Sequence, residues 1–267
     1  MTVPSGDFLD LLKKNGYELH SDPSGLERVS KEANLELTEG TTVVAVRYKG
    51  GVMIAGDRRA TAGNTVMYDR ADKVLELDEY SVIAVAGSPA IAYEIARTLE
   101  HSFQYFRRSQ LQELSLEGKL RMLSRLIREN FPMAMQGAGV IPILAIYDPQ
   151  SGDDGGGKIF FYDALGAQFE VSDFATSGSG SVWIRGVLYH LNRWGKIPLA
   201  DMNENQAITN IMKLLETASE YDAATGGYNS RSSIFPTIKT ITSNGIADLQ
   251  TEKLRQIYEK SVEVKLA

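Results

Sequence analysis

The sequence predicts an α+β fold: a four-layer α/β/β/α sandwich of two mainly antiparallel sheets. Three observations carry this expectation. Strand-like runs occur in adjacent pairs joined by short turns, helix-like runs also occur in adjacent pairs, and the two kinds of run alternate along the chain. Stacking two sheets face to face, with a helix pair on each outer side, buries every apolar face. The length of 267 residues suffices for one large domain of this kind.

Residues 1–40 read as a separate segment. Phe8, Leu9, Leu11 and Leu12 suggest a short helix closed by Asn15-Gly16, and the breaker cluster Ser21-Asp22-Pro23-Ser24-Gly25 separates that helix from the body of the chain. Eight acidic against four basic side chains make this leader too polar to own a core, and give it most of the net charge of -6. From Thr41 the pattern changes. Residues 43–48 form a strand, Lys49-Gly50-Gly51 a tight turn and 52–55 the returning strand. Residues 73–77 and 81–86 make a second pair around Asp78-Glu79-Tyr80. Ile91, Ile95, Leu99, Phe103 and Phe106 recur at helical spacing, and a second helix spans 116–135, kinked or shortened by Pro132. Strands follow at 142–147 and 158–162, with 169–176 continuing the run. Two helices at 182–194 and 205–221, a strand at 237–242 and an amphipathic C-terminal helix complete the order. The glycine-rich stretch from Gly152 to Lys158 lacks Walker spacing and joins two strands, so it reads as a hairpin tip and not a phosphate loop.

Composition excludes several function classes. No basic stripe accompanies the acidic balance, which disfavours nucleic-acid binding. There is no cysteine, hence no disulfide, thiolate metal site or cysteine nucleophile. His20, His101 and His190 are scattered, without ligand spacing, and read as packing or surface residues. Neither a metal nor a cofactor is expected. No stretch approaches a membrane span, and Asp7, Asp10, Lys13 and Lys14 interrupt the leader's apolar cluster, so the leader is no secretory signal and a cytoplasmic protein is expected.

The residues with chemical potential begin at Gly40-Thr41-Thr42-Val43-Val44. As written, this is also an ordinary loop entering a strand. Cut between Gly40 and Thr41, however, it yields a terminal threonine with a hydroxyl nucleophile and a free α-amine on one residue. That amine, with an ordinary pKa of about 7.7–8.0, can take the hydroxyl proton near neutrality. The hairpin brings Asp57, in Gly56-Asp57-Arg58-Arg59, beside the start of the first strand. Lys73 opens the third strand, so an Asp57–Lys73 pair can sit beneath Thr41 and favour loss of its proton. Gly87, in Ala86-Gly87-Ser88, lies where a strand passes into a helix and can turn its N–H toward an oxyanion. Ser177-Gly178-Ser179-Gly180-Ser181 precedes one helix and Asp222-Ala223-Ala224-Thr225-Gly226-Gly227 closes another; each also reads as an ordinary cap.

Taken in order, G-T-T-V-V-A-V, G-D-R-R-A-T, D-K-V, A-G-S, S-G-S-G-S and D-A-A-T-G-G resemble the proteasome β subunits, over roughly residues 41–236. Ala134-Met135-Gln136-Gly137, Pro142 and Tyr147-Asp148-Pro149 further resemble the bacterial, actinobacterial-type branch. The resemblance implies the N-terminal-nucleophile hydrolase fold, a propeptide 1–40 removed by self-cleavage between Gly40 and Thr41, and a catalytic domain 41–267. It implies Thr41 as nucleophile, Asp57 and Lys73 as its acid and lysine, and Gly87 as oxyanion donor. Ser179, Asp222 and Thr225 correspond to the group that orients the amine, Thr225 standing where many relatives have serine. Ala60, Val85 and Pro89 would line the pocket for the residue preceding the cut, Pro89 being larger than is usual there. A medium apolar side chain is the expected preference. Implied partners are homo-heptameric β rings, α-subunit rings, a ring ATPase regulator and unfolded protein substrates. Two other readings stay open from the residues: a different N-terminal-nucleophile amidohydrolase, and a non-catalytic scaffold subunit that keeps its leader.

Overall fold

The computed structural model describes residues 38–63, 65–149, 151, 156–229 and 232–262. The leader helix and breaker cluster predicted before residue 38, and the centre of the glycine-rich tip, lie outside these residues. Everything described belongs to one compact unit, 37–267.

Along the chain, β1 (Thr38–Glu39) leads to β2 (Thr42–Tyr48), β3 (Gly51–Gly56), β4 (Ala60–Ala62), β5 (Thr65–Tyr68), β6 (Val74–Asp78) and β7 (Ser81–Gly87). Three helices follow, α1 (Pro89–Gln110), α2 (Leu116–Glu129) and α3 (Phe131–Ala134). Then come β8 (Val140–Tyr147), β9 (Gly157–Tyr162), β10 (Gln168–Val171) and β11 (Phe174–Gly178). Helices α4 (Ser181–Trp194) and α5 (Glu204–Tyr221), strands β12 (Thr237–Thr242) and β13 (Gly245–Asp248), and α6 (Thr251–Ile257) with a π turn over Tyr258–Val262 complete it. One sheet has the order β11-β2-β3-β12-β13, the other β10-β9-β8-β7-β6, and a small third sheet runs β1-β4-β5. Every strand pairing is antiparallel.

The layers explain why the central strands carry apolar residues on both faces. Successive side chains of a strand point to opposite faces. In β2, Val43 and Ala45 face the other sheet, meeting Val82, Ala84 and Ile143. Val44 and Val46 face outward, against Ile184 and Leu188 of α4 and Ile211 and Leu215 of α5. In β7, Ile83 and Val85 likewise pack outward on Ile95 and Leu99 of α1 and Leu123 and Ile127 of α2. Both faces of each sheet are therefore dry at these central strands, and the predicted sandwich with its two helix pairs is what forms.

Three differences from the sequence reading have physical causes. The helix predicted over 116–135 ends at Glu129 and a short α3 restarts, because Pro132 has no N–H to continue the ladder and sits near the start of the new turn. The continuous strand predicted over 169–176 divides into β10 and β11, which belong to different sheets. At the break, Arg47 donates its backbone N–H to Asp173 O at 2.8 Å and its guanidinium to Ser172 O at 3.2 Å, drawing the chain across to β2. Finally, β1, β4, β5 and β13 have no counterpart in the sequence reading. The third sheet matters for the site: pairing of Thr38 with Ala62 and of Glu39 with Thr61 feeds the chain into Gly40.

Candidate active site

The hairpin β2–β3 puts Val43 opposite Gly56, so the residues flanking the hairpin's open end, Thr41 and Asp57, are neighbours. Asp57 is fully buried. Its Oδ1 accepts from Thr42 N–H at 2.7 Å and from Lys73 Nζ at 2.7 Å; its Oδ2 accepts from Arg59 N–H and Gly226 N–H, both at 2.9 Å. Four donors fill the acceptor positions of the carboxylate and fix its plane. Lys73, just before β6, gives its three protons to three oxygens: Asp57 Oδ1, Arg59 O at 2.5 Å and Gly40 O at 3.0 Å. Burial pulls the Lys73 ammonium below its ordinary pKa, and adjacent Asp57 works against that pull. The lysine is thus held as a fixed donor on the Gly40 carbonyl.

The Thr41 hydroxyl donates to the same Gly40 oxygen at 2.8 Å. Gly40 has φ +111°, and a Cβ there would lie 2.5 Å from Thr61 Oγ1 and 2.7 Å from Ala224 Cβ, so only glycine fits the bend. Gly87, at the end of β7, has φ +115°. Ser88 N–H bonds Gly139 O on the β8 side, and Val85 N–H bonds Lys73 O on the β6 side. Alternation along the ladder turns the Gly87 amide to the β6 side, past the end of that strand, toward the Lys73 and Thr41 end of the sheet.

On the opposite flank, Asp222 Oδ2 accepts from Ser179 Oγ and Thr225 Oγ1, each at 2.6 Å, and Asp222 Oδ1 accepts from Ala224 N–H at 3.1 Å. Partial burial raises the Asp222 pKa, but these hydrogen bonds, with Lys73 nearby, outweigh it and hold the carboxyl below its ordinary value. Ala60, Val85 and Pro89 come together with Leu75 and Tyr93 in an apolar recess that Thr41 and Lys73 also line. A second recess that Thr41 also lines is formed by Ala86, Ala134, Gly137, Val140 and Ser177. All the predicted site residues therefore lie in one neighbourhood around the Gly40-Thr41 bond. Among the described residues no cluster of His, Cys, Asp or Glu could hold a metal, and no helix is long and apolar enough to cross a membrane.

The sequence model of the family described as "Proteasome subunit" matches residues 37–230. The chain belongs to the proteasome β-subunit family. It is 36% identical to the proteasome subunit beta of Streptomyces griseus over 266 residues, covering all of this chain and 91% of the relative. It is 38% identical to proteasome subunit beta 2 of Thermomonospora curvata, covering 97% of this chain and 89% of that one, and 37% identical to the proteasome subunit beta of Acidothermus cellulolyticus, covering 87% and 78%.

Two residues of this family member join the site without having been singled out in its sequence. Arg59 donates from its guanidinium to Ala223 O and Thr225 O, both at 3.0 Å, clamping the loop that carries Asp222. Thr42 is buried against Thr225, 2.6 Å between hydroxyls. Both stand inside the quoted G-T-T and G-D-R-R motifs, which was the available signal.

Proposed function

We propose that this chain is the catalytic β subunit of a bacterial proteasome core, a threonine endopeptidase that frees its own nucleophile by cleavage between Gly40 and Thr41. The observation that carries the reading is the convergence of two donors, Thr41 Oγ1 at 2.8 Å and Lys73 Nζ at 3.0 Å, on one carbonyl oxygen. Lysine polarises that carbonyl, and the hydroxyl is held on the same carbonyl group. Thr41 Oγ adds to the Gly40 carbonyl carbon, the bond to the Thr41 nitrogen breaks, and the nitrogen takes up the proton, leaving an ester. Water hydrolyses the ester, releasing residues 1–40 as a carboxylate and leaving Thr41 with a free amine.

In the mature enzyme that amine accepts the hydroxyl proton as Oγ attacks a substrate carbonyl, and later gives it to the leaving amine. Gly87 N–H receives the oxyanion, Lys73, held in place by Asp57, supplies the positive charge under Oγ, and Ser179, Asp222 and Thr225 orient the amine. Water then releases the acyl group. The recess of Ala60, Val85 and Pro89 takes a medium apolar side chain before the cut. Self-cleavage delayed until assembly keeps the site idle outside a closed particle. The reading includes β-subunit rings of seven, α-subunit rings, a ring ATPase that feeds unfolded protein, and a cytoplasmic setting.

The Thr41→Ala variant tests this. Co-expressed with its α partner, it is expected to keep its full mass and to hydrolyse no fluorogenic peptide, whereas the parent chain begins at Thr41. Cleavage at Gly40-Thr41 in the variant would remove the mechanism.

A further inference from the structure

The side chain of Thr42, the residue after the nucleophile, is completely buried at the start of β2, beside Val43 and Val44. Its Oγ1 lies 3.0 Å from Gly180 N and 2.6 Å from Thr225 Oγ1. Thr225, also completely buried, gives its proton to Asp222 Oδ2 at 2.6 Å. The direction of the chain follows from the inventory of protons. A hydroxyl has one, an ionised carboxylate has none, and an amide can only donate. Thr225 donates to Asp222, so Thr42 must donate to Thr225, and Gly180 N–H fills a lone pair of Thr42. The bonds run one way, from Gly180 through Thr42 and Thr225 to Asp222, each polarising the next toward the negative charge. The space is fitted to it: a Cβ on Gly180 would come within 2.4 Å of Thr42 Oγ1 and 2.6 Å of Thr225 Oγ1.

We propose that Thr42 is a positioning residue of the Thr41 centre, holding the Thr225 hydroxyl on Asp222 so that this carboxylate meets the freed Thr41 amine in one orientation and one charge state. The inference rests on the threonine-peptidase reading above. Packing does not call for the hydroxyl. Valine has nearly the same shape and suits a buried strand, and its one structural cost is an unpaired Gly180 N–H, which the melting temperature reads. The charged groups around the network are Asp222 itself, Lys73, Asp57 and Arg59.

The test compares full-length parent, Thr42→Val and Thr42→Ser chains, each assembled with the α partner. Intact mass, peptide kcat and KM, the pH dependence of kcat and the melting temperature are read on each. Thr42→Val is expected to lower kcat about tenfold, the equivalent of ~1.4 kcal/mol of barrier, with KM unchanged. Its acid limb, set by the Thr41 amine, should move to higher pH, because Asp222 without a well-held donor becomes the stronger acceptor for the ammonium form. Thr42→Ser should restore kcat and the pH profile. Parental kcat and profile in Thr42→Val would overturn the proposal, as would a serine variant impaired like valine. If valine stalls leader release, the same comparison is read on its rate: parental release in serine supports the proposal, and equal stalling overturns it. A parent chain that hydrolyses no peptide defeats the underlying reading, and this inference falls with it; an active parent with an indifferent Thr42→Val defeats this inference alone.

Discussion

Two buried lysine–carboxylate pairs in this chain are nearly alike as ion pairs and differ in what else the lysine holds. Lys73 and Asp57 are 2.7 Å apart, with side chains 7% and 0% exposed; Lys119 and Asp78 are 2.6 Å apart, at 8% and 9%. Lys119 reaches from α2 to Ser81 Oγ at 3.2 Å and lies 5.5 Å from the Phe103 ring centre. All its partners belong to the packing of helices α1 and α2 on the β6–β7 hairpin. Lys73 instead directs one proton to Gly40 O, part of the bond proposed to break. Burial and pairing therefore do not mark a reactive lysine, since structural pairs share both. The acceptor on the Gly40-Thr41 peptide bond is what separates the two.

The largest expected effect sharpens this contrast. Lys73→Met should slow leader release and peptide hydrolysis by about a thousandfold, as loss of a preorganised carbonyl donor does. Lys119→Met should leave release at the parental rate and lower stability by about 3–5 kcal/mol, because Asp78 stays buried without its partner. A gel time course of leader release and denaturant unfolding separate the two outcomes, and the reverse pattern would break the comparison. Next comes Gly40→Ala, which puts a Cβ against Thr61 and Ala224 at a positive φ. Release should slow by about 10–100-fold, consistent with ~1–3 kcal/mol of backbone strain. Once released, the matured chain should be identical to the parent in mass and melting temperature, because residue 40 is gone.

The smallest effect concerns Asp222. Its carboxyl is held below the ordinary 3.8, so its folded pKa is depressed. Such a group contributes stability above the ordinary value and loses it as the pH falls through the lowered one. The melting-temperature gap between parent and Asp222→Asn should accordingly be open at neutral pH and narrow as the pH drops below 3.8. A gap that is constant across this range would deny the carboxylate its role in the network.

The same contrast shows what was legible in the sequence. The sandwich was readable because β2 and β7 are apolar on both faces, a pattern that needs dry layers on each side. The exposed β5, Thr65–Tyr68, has no buried face and so no alternation to read. The division of β10 from β11 falls at Ser172-Asp173, where neither glycine nor proline announces a break. At the site, Asp57, Lys73 and Gly87 sit at strand ends that hairpin geometry brings together, and they could be named in advance. Arg59 and Thr42 stand inside the quoted motifs, but their roles were not legible, because their partners lie 164 and 183 residues away, on the loop around Asp222. Spacing along a chain does not reveal a contact made only by the closed fold.

The central claim is that one residue, Thr41, supplies both the attacking oxygen and the proton-carrying amine. Treatment of assembled particles with a peptide epoxyketone, which closes a ring using both groups, then mass analysis of the N-terminal peptide, tests it directly. The predicted result is a single adduct on a peptide that begins at Thr41. No adduct, or modification of a chain still carrying residues 1–40, would contradict it.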